Sequence, residues 1–153
     1  MKIAKRTALV LITVLLVFST QSFSSATNLR PSGLPNPVLF FTGQEPYETG
    51  GKHYIRYRYD VLNKDQYPND LFAAAPELPP CGSNTKAART WVDFYDINGK
   101  RLYGFCSLGK SSDLGTIWFA LEESVLPPSY VYIELNDRKT PVKYKSNLAD
   151  TTL

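Results

Sequence analysis

The sequence predicts an all-β, antiparallel sandwich of about seven strands, and three observations carry that expectation. Short segments alternate apolar and polar residues with period two, and β-branched and aromatic side chains fill one face. Gly, Pro, Asn and Asp gather between those segments, where tight turns need them. No stretch has the three-to-four-residue apolar spacing of a long amphipathic helix.

In chain order, Lys2, Lys5 and Arg6 precede an apolar run over 8–18, and Ser24-Ser25-Ala26 supplies the small residues of a cleavage site. Residues 1–26 therefore read as a secretory signal peptide, whose apolar run is too short for a comfortable membrane span of about 20 residues. Residues 27–37 hold three prolines and a glycine and read as an extended lead-in to a sandwich domain over 38–148. The first strand is expected at about 38–42, and 43–51, with Pro46 and Gly50-Gly51, is expected to turn the chain. The second strand, about 52–62, is the clearest: Ile55, Tyr57, Tyr59 and Val61 share one face, and Tyr54, Arg56, Arg58 and Asp60 the other.

Residues 64–88 hold Pro68, Pro76, Pro79 and Pro80 and form a long connection, in which Asn69 or Asp70 is expected to cap one helical turn ending at Pro76. A hairpin follows, with strands at about 89–96 and 100–107. Its turn, Asp96-Ile97-Asn98-Gly99-Lys100, suits a three-residue loop with Gly99 left-handed and Asp96 facing Lys100. That register sets Val92, Phe94, Leu102 and Cys106 on one face and Trp91, Asp93, Tyr95, Arg101, Tyr103 and Phe105 on the other. Strands at about 115–121, 130–136 and 141–147 complete the count, and 149–153 is expected to fray.

Removing the leader takes away three basic residues and no acid, which brings 17 Lys+Arg against 14 Asp+Glu into balance. The sequence's basicity is therefore no footprint for nucleic acid, although Arg56, Arg58 and the neighbouring tyrosines have the composition of a stacking surface. With the single His53, one chain cannot build a two-histidine metal site, and a Ser-His-Asp or Cys-His mechanism would have to run through that residue. Cys81 and Cys106, an even pair in an exported chain, are expected to form a disulfide; closing a loop of that length contributes about 3 kcal/mol. The rival is a Cys106 thiolate activated by His53, and no flanking cation lowers that thiol's pKa. Asp96-x-Asn98-Gly99 fits hairpin-turn chemistry better than calcium ligation. Glu122-Glu123 and Glu45/Glu48 lack the cleft that paired catalytic acids need. No phosphate, dinucleotide or zinc-protease motif occurs, and neither metal nor cofactor is expected.

The stretch Leu126-Pro127-Pro128-Ser129-Tyr130-Val131-Tyr132 resembles the corner before the sixth strand of fibronectin type III and related immunoglobulin-like domains. In that family a leucine, a proline two residues on and a tyrosine six residues on lead into an apolar strand, as Leu126, Pro128 and Tyr132 stand here. Tyr130 is an alternative corner tyrosine, and Trp91 in the third strand also looks immunoglobulin-like. Glu134 departs from the pattern by standing where an aliphatic residue belongs, and Cys81 departs by lying in a loop. The resemblance covers most of 38–148 in outline. It implies a superfold that hosts adhesion modules, enzyme accessory domains, chaperone-like subunits and inhibitors alike.

Ten Tyr, eight Phe and two Trp exceed what a core of this size absorbs, even with Phe18 and Phe23 in the leader. The surplus marks Trp91, Tyr95, Tyr103 and Phe105, with Arg101 beside Tyr95 and Asp93 beside Tyr103, as a candidate recognition surface for a protein or carbohydrate; the alternative is that the 64–88 loop covers those rings. The sequence thus reads as a secreted or periplasmic binding module without catalysis, with no nucleic acid partner, no membrane span after cleavage and no oligomeric state specified. The alternatives are a small hydrolase using Cys106 and His53, and a structural envelope component. The absence of a glycosylation sequon suits a bacterial source.

Overall fold

Alternation decides the layers. The computed structural model describes residues 33–81 and 87–152; the expected leader and residues 27–32 of the lead-in lie outside them. Eight strands are present among the described residues: β1 Leu39–Thr49, β2 Lys52–Val61, β3 Thr90–Asp96, β4 Arg101–Phe105, β5 Ile117–Glu122, β6 Tyr130–Asp137, β7 Lys143–Lys145 and β8 Ala149–Asp150. They form two antiparallel sheets, β1-β2-β5 and β4-β3-β6-β7, and β8 also pairs with β6. No described helix is long and apolar enough to cross a membrane.

The inward faces are the apolar faces of the alternating strands. Tyr57, Tyr59, Val61, Ile117 and Phe119 of one sheet bury against Val92, Phe94, Ile133 and Leu135 of the other. The Phe94 ring centroid lies 5.3 Å from that of Tyr59 and 5.4 Å from that of Phe119. Each such side chain withdrawn from water contributes roughly 1.5–3 kcal/mol, so this aromatic layer is the main cohesion between the sheets.

Four expectations need correction. The first strand does not stop at residue 42: a bulge at Thr42 lets the pairing resume at Gly43↔Arg58 and run to Thr49↔Lys52. Pro46 fits because β1 is an edge strand, where a missing N–H breaks no ladder bond. The 64–88 connection is no simple loop. Short 3-10 turns at Lys64–Gln66, Asn69–Phe72 and Ser111–Thr116 close one end of the sandwich, and Leu71, Phe72 and Leu114 are buried in the core. Asn69 caps no helix; its Oδ1 accepts from both the N–H and the Oγ of Ser111, each at 3.0 Å. The C-terminus does not fray at 149–152. Ala149 is buried, Asp150 pairs with Tyr130, and the Thr151 hydroxyl donates to Pro128 O at 2.5 Å. Leu126, at the leucine position of the family corner, is 90% exposed.

The hairpin turn forms as expected. Gly99 has φ 83°, which favours glycine, and the Asp96 N–H donates to Lys100 O at 2.9 Å. The Asp96 carboxylate accepts from the N–H groups of Asn98 and Lys100, so it serves the turn. Cys81 and Cys106 are bonded, with Cα atoms 6.0 Å apart. Together with the Ala74↔Ala88 bridge, the bond ties the Pro-rich segment to the end of β4.

Candidate functional site

A second bulge decides where the five expected binding residues lie. The β3–β4 register reads Tyr95↔Arg101 but Phe94↔Tyr103, so Leu102 is an extra residue on β4. Past it, Val92 faces Phe105 and Asp93 faces Gly104. The expected neighbour of Asp93, Tyr103, is thereby moved to the other face together with Phe105, because a one-residue slip inverts every later side chain. A Cβ on Gly104 would collide with the Arg101 guanidinium and the Asp93 carboxylate, so glycine is what lets that ion pair cross the strand. Arg101 Nε lies 2.8 Å from Asp93 Oδ1.

Trp91, Tyr95 and Arg101 therefore remain on the outer face of the larger sheet without Tyr103 and Phe105. That face is partly covered. The Arg138 guanidinium lies 4.1 Å from the Trp91 ring centroid and donates through Nη2 to Pro79 O, which brings the Pro-rich segment over this end of the sheet. Tyr95 stacks on Tyr132 at 5.3 Å. Of the four rings, only Tyr103 is exposed, at 38%.

Tyr103 and Phe105 instead join a column that the sequence reading missed. It lies on the outer face of the smaller sheet, at the seam where β4 and β5 come side by side. Tyr103 stacks on Trp118 of β5, with centroids 5.2 Å apart and planes 25° apart. Phe105 meets Trp118 edge-on at 6.0 Å. On the other side the Arg56 guanidinium of β2 sits 4.5 Å from Trp118 and 3.9 Å from Tyr47 of β1. Four strands thus contribute to one run, Tyr47–Arg56–Trp118–Tyr103, with Tyr54 beside Tyr47 at 6.3 Å.

Two carboxylates are shared among three cations around the column. Glu45 Oε1 lies 3.1 Å from Arg56 and its Oε2 3.5 Å from Arg58, and Lys52 pairs with Glu122 at 3.3 Å. Arg56 Nε, by contrast, is buried with no hydrogen-bond partner among the described residues. The sequence signal was the outward row Tyr54, Arg56, Arg58. What hid the site was Tyr47, placed outward only by the Thr42 bulge, and Trp118, brought in by the β2–β5 pairing.

The hydrolase alternative fares differently. Cys106 is held in the disulfide, so it offers no thiolate. The His53 side chain is 70% exposed and 3.9 Å from Glu48. It lies at the rim of two depressions of about 510 and 250 Å³, the larger also lined by Glu122, Glu123 and Ser124. Glu122 and Glu45 are engaged by the cations named above. No cluster of three metal-ligating side chains occurs among the described residues.

The chain matches no protein-family model, no curated protein and no solved structure.

Proposed function

We propose that this chain is a small exported binding module without catalysis, built on an immunoglobulin-like, fibronectin type III-like sandwich. Its contact surface is the outer face of the three-stranded sheet. The observation that carries this reading is the Tyr47–Arg56–Trp118–Tyr103 column, which ends in an exposed tyrosine. Tyr, Trp and Arg are the side chains on which binding energy concentrates, because they offer large rigid area at small entropic cost. The paired groups around the column leave a single excess positive charge, so ring contact and short-range hydrogen bonding dominate over steering. The family-level reading is supported by the strand order β1-β2-β5 against β4-β3-β6-β7, a Greek-key arrangement, and not by the exposed Leu126. Export is supported by the leader pattern and by the disulfide.

The test is retention of ligand on immobilised protein from two sources, envelope extract and a panel of soluble oligosaccharides. Trp118→Ala and Tyr103→Ala should each abolish most retention, while Ile97→Ala, at an exposed turn away from the column, should leave it intact. Unchanged retention by both column variants, with fold preserved by circular dichroism, ends the proposal.

A further inference from the structure

β7 and β8 lie in succession along the same edge of β6, separated by Ser146–Leu148. At that break Asn147 crosses to the other sheet. Leu39 N–H donates to Asn147 Oδ1 at 2.8 Å, and Asn147 Nδ2 donates to Leu39 O at 3.0 Å. A side-chain carboxamide thus pairs with β1 as the peptide group of a neighbouring strand would. The outer edge of β1 is therefore set to accept a strand and is filled at one residue by a mimic.

Backbone groups alternate along a strand, so the next residue presenting both groups to this edge is Phe41. Among the described residues no hydrogen bond reaches its outward N–H or C=O. Here a cleft of about 390 Å³ opens to one side of β1 and β8, lined by Leu39–Phe41, Asn147–Asp150 and Thr152. Its lips are apolar and open to solvent: Phe40 is 52% exposed and Leu148 47%. Among the described residues the one charged lining residue is Asp150. Further along β1, Pro46 lacks an N–H, and the β7 edge carries Lys143 and Lys145, two devices that discourage strand pairing. The Phe41 stretch carries neither.

We infer that the cleft beside β1 and β8 accepts one extended segment of a partner polypeptide, which lies along the β1 edge beside Asn147 and pairs with Phe41. Main-chain hydrogen bonds to Phe41 supply affinity, and Phe40 and Leu148 select apolar side chains at alternate positions. Asp150 disfavours an acidic residue opposite it and favours lysine or arginine. This site is separate from the aromatic column, and neither proposal depends on the other.

The probe is a labelled pool of short peptides alternating threonine with valine, leucine or isoleucine and ending in lysine, offered to the purified full chain. Hydrogen exchange read by NMR should show the Phe41 amide open in the free protein and protected with peptide. Phe40→Asp and Leu148→Asp, both at exposed positions that the fold tolerates, should weaken binding about tenfold or more. Trp118→Ala should not change it. Methylating the peptide's backbone nitrogens should abolish binding with side chains unchanged. Three outcomes overturn the inference: no peptide of the pool protects Phe41, methylated peptides bind equally well, or Phe41 is already protected without peptide, which would mean the chain fills its own slot.

Discussion

Replacing Asp137 by alanine should be the most damaging single polar change in the molecule. Asp137 ends the inward row of β6, and its side chain is 3% exposed. It accepts from Arg89 Nε at 2.9 Å and Nη2 at 2.6 Å, from the Thr140 hydroxyl at 2.8 Å and from the Lys139 N–H at 3.0 Å. Arg89, 24% exposed, also reaches Asp70 at 3.5 Å and so links the Asn69–Phe72 turn to the sandwich. Alanine would leave a largely buried guanidinium facing only a solvent-exposed acid, and it would undo the turn after β6. Orphaning one partner of a buried pair costs about 3–5 kcal/mol; Arg89's partial exposure places this case near the lower figure, about 3 kcal/mol. Urea unfolding with an unchanged m-value measures it. The double variant Arg89→Met/Asp137→Leu should recover part of the loss, because no unpaired charge remains. A cost below about 1 kcal/mol for Asp137→Ala would refute the reasoning. The same pair predicts an acid limb. Burial alone would raise the Asp137 carboxyl, but the hydrogen bonds from Arg89, Thr140 and Lys139 and the Arg89 charge outweigh it and hold the pKa below its ordinary value. A depressed carboxyl stabilises the fold fully above its unfolded pKa of about 3.9 and loses that contribution as pH falls through the lower folded value. Wild-type stability should fall in that window, and Asp137→Asn should flatten the fall.

Asn147→Ala removes both bonds across the sheet seam at Leu39 and should cost about 1–3 kcal/mol in urea unfolding; Asn147→Asp should not rescue it, since a carboxylate oxygen would then face Leu39 O. A thiol assay should find no reactive thiol in the native protein and two after denaturing reduction, and Cys81→Ser/Cys106→Ser should lower stability by about 3 kcal/mol.

What the sequence disclosed and what it hid divide along one physical line. The alternation through Ile55, Tyr57, Tyr59 and Val61, the Gly99 turn and the Cys81–Cys106 bond follow from local residue chemistry, and each appears in the structure. The bulges at Thr42 and Leu102 carry no comparable local mark. Each adds a single residue, and each inverts the faces beyond it. The Leu102 bulge split the expected surface, sending Tyr103 and Phe105 away from Trp91, Tyr95 and Arg101. The Thr42 bulge brought Tyr47 outward to meet Arg56. The column also needs Trp118, which comes from a strand distant in sequence, so its existence depends on pairings that period-two patterns do not specify. The Pro-rich connection misled for another reason: prolines mark where ladders stop, but not that Leu71 and Phe72 between them enter the core.

The most direct test of the central claim, that the column is a contact surface, is hydroxyl-radical footprinting of Tyr103 in the purified protein and in intact source cells. Exposed Leu126 serves as the internal standard. Tyr103 should be oxidised readily in the purified protein and protected in cells, and Trp118→Ala should abolish the protection. Equal oxidation of Tyr103 in both settings, normalised to Leu126, would contradict it.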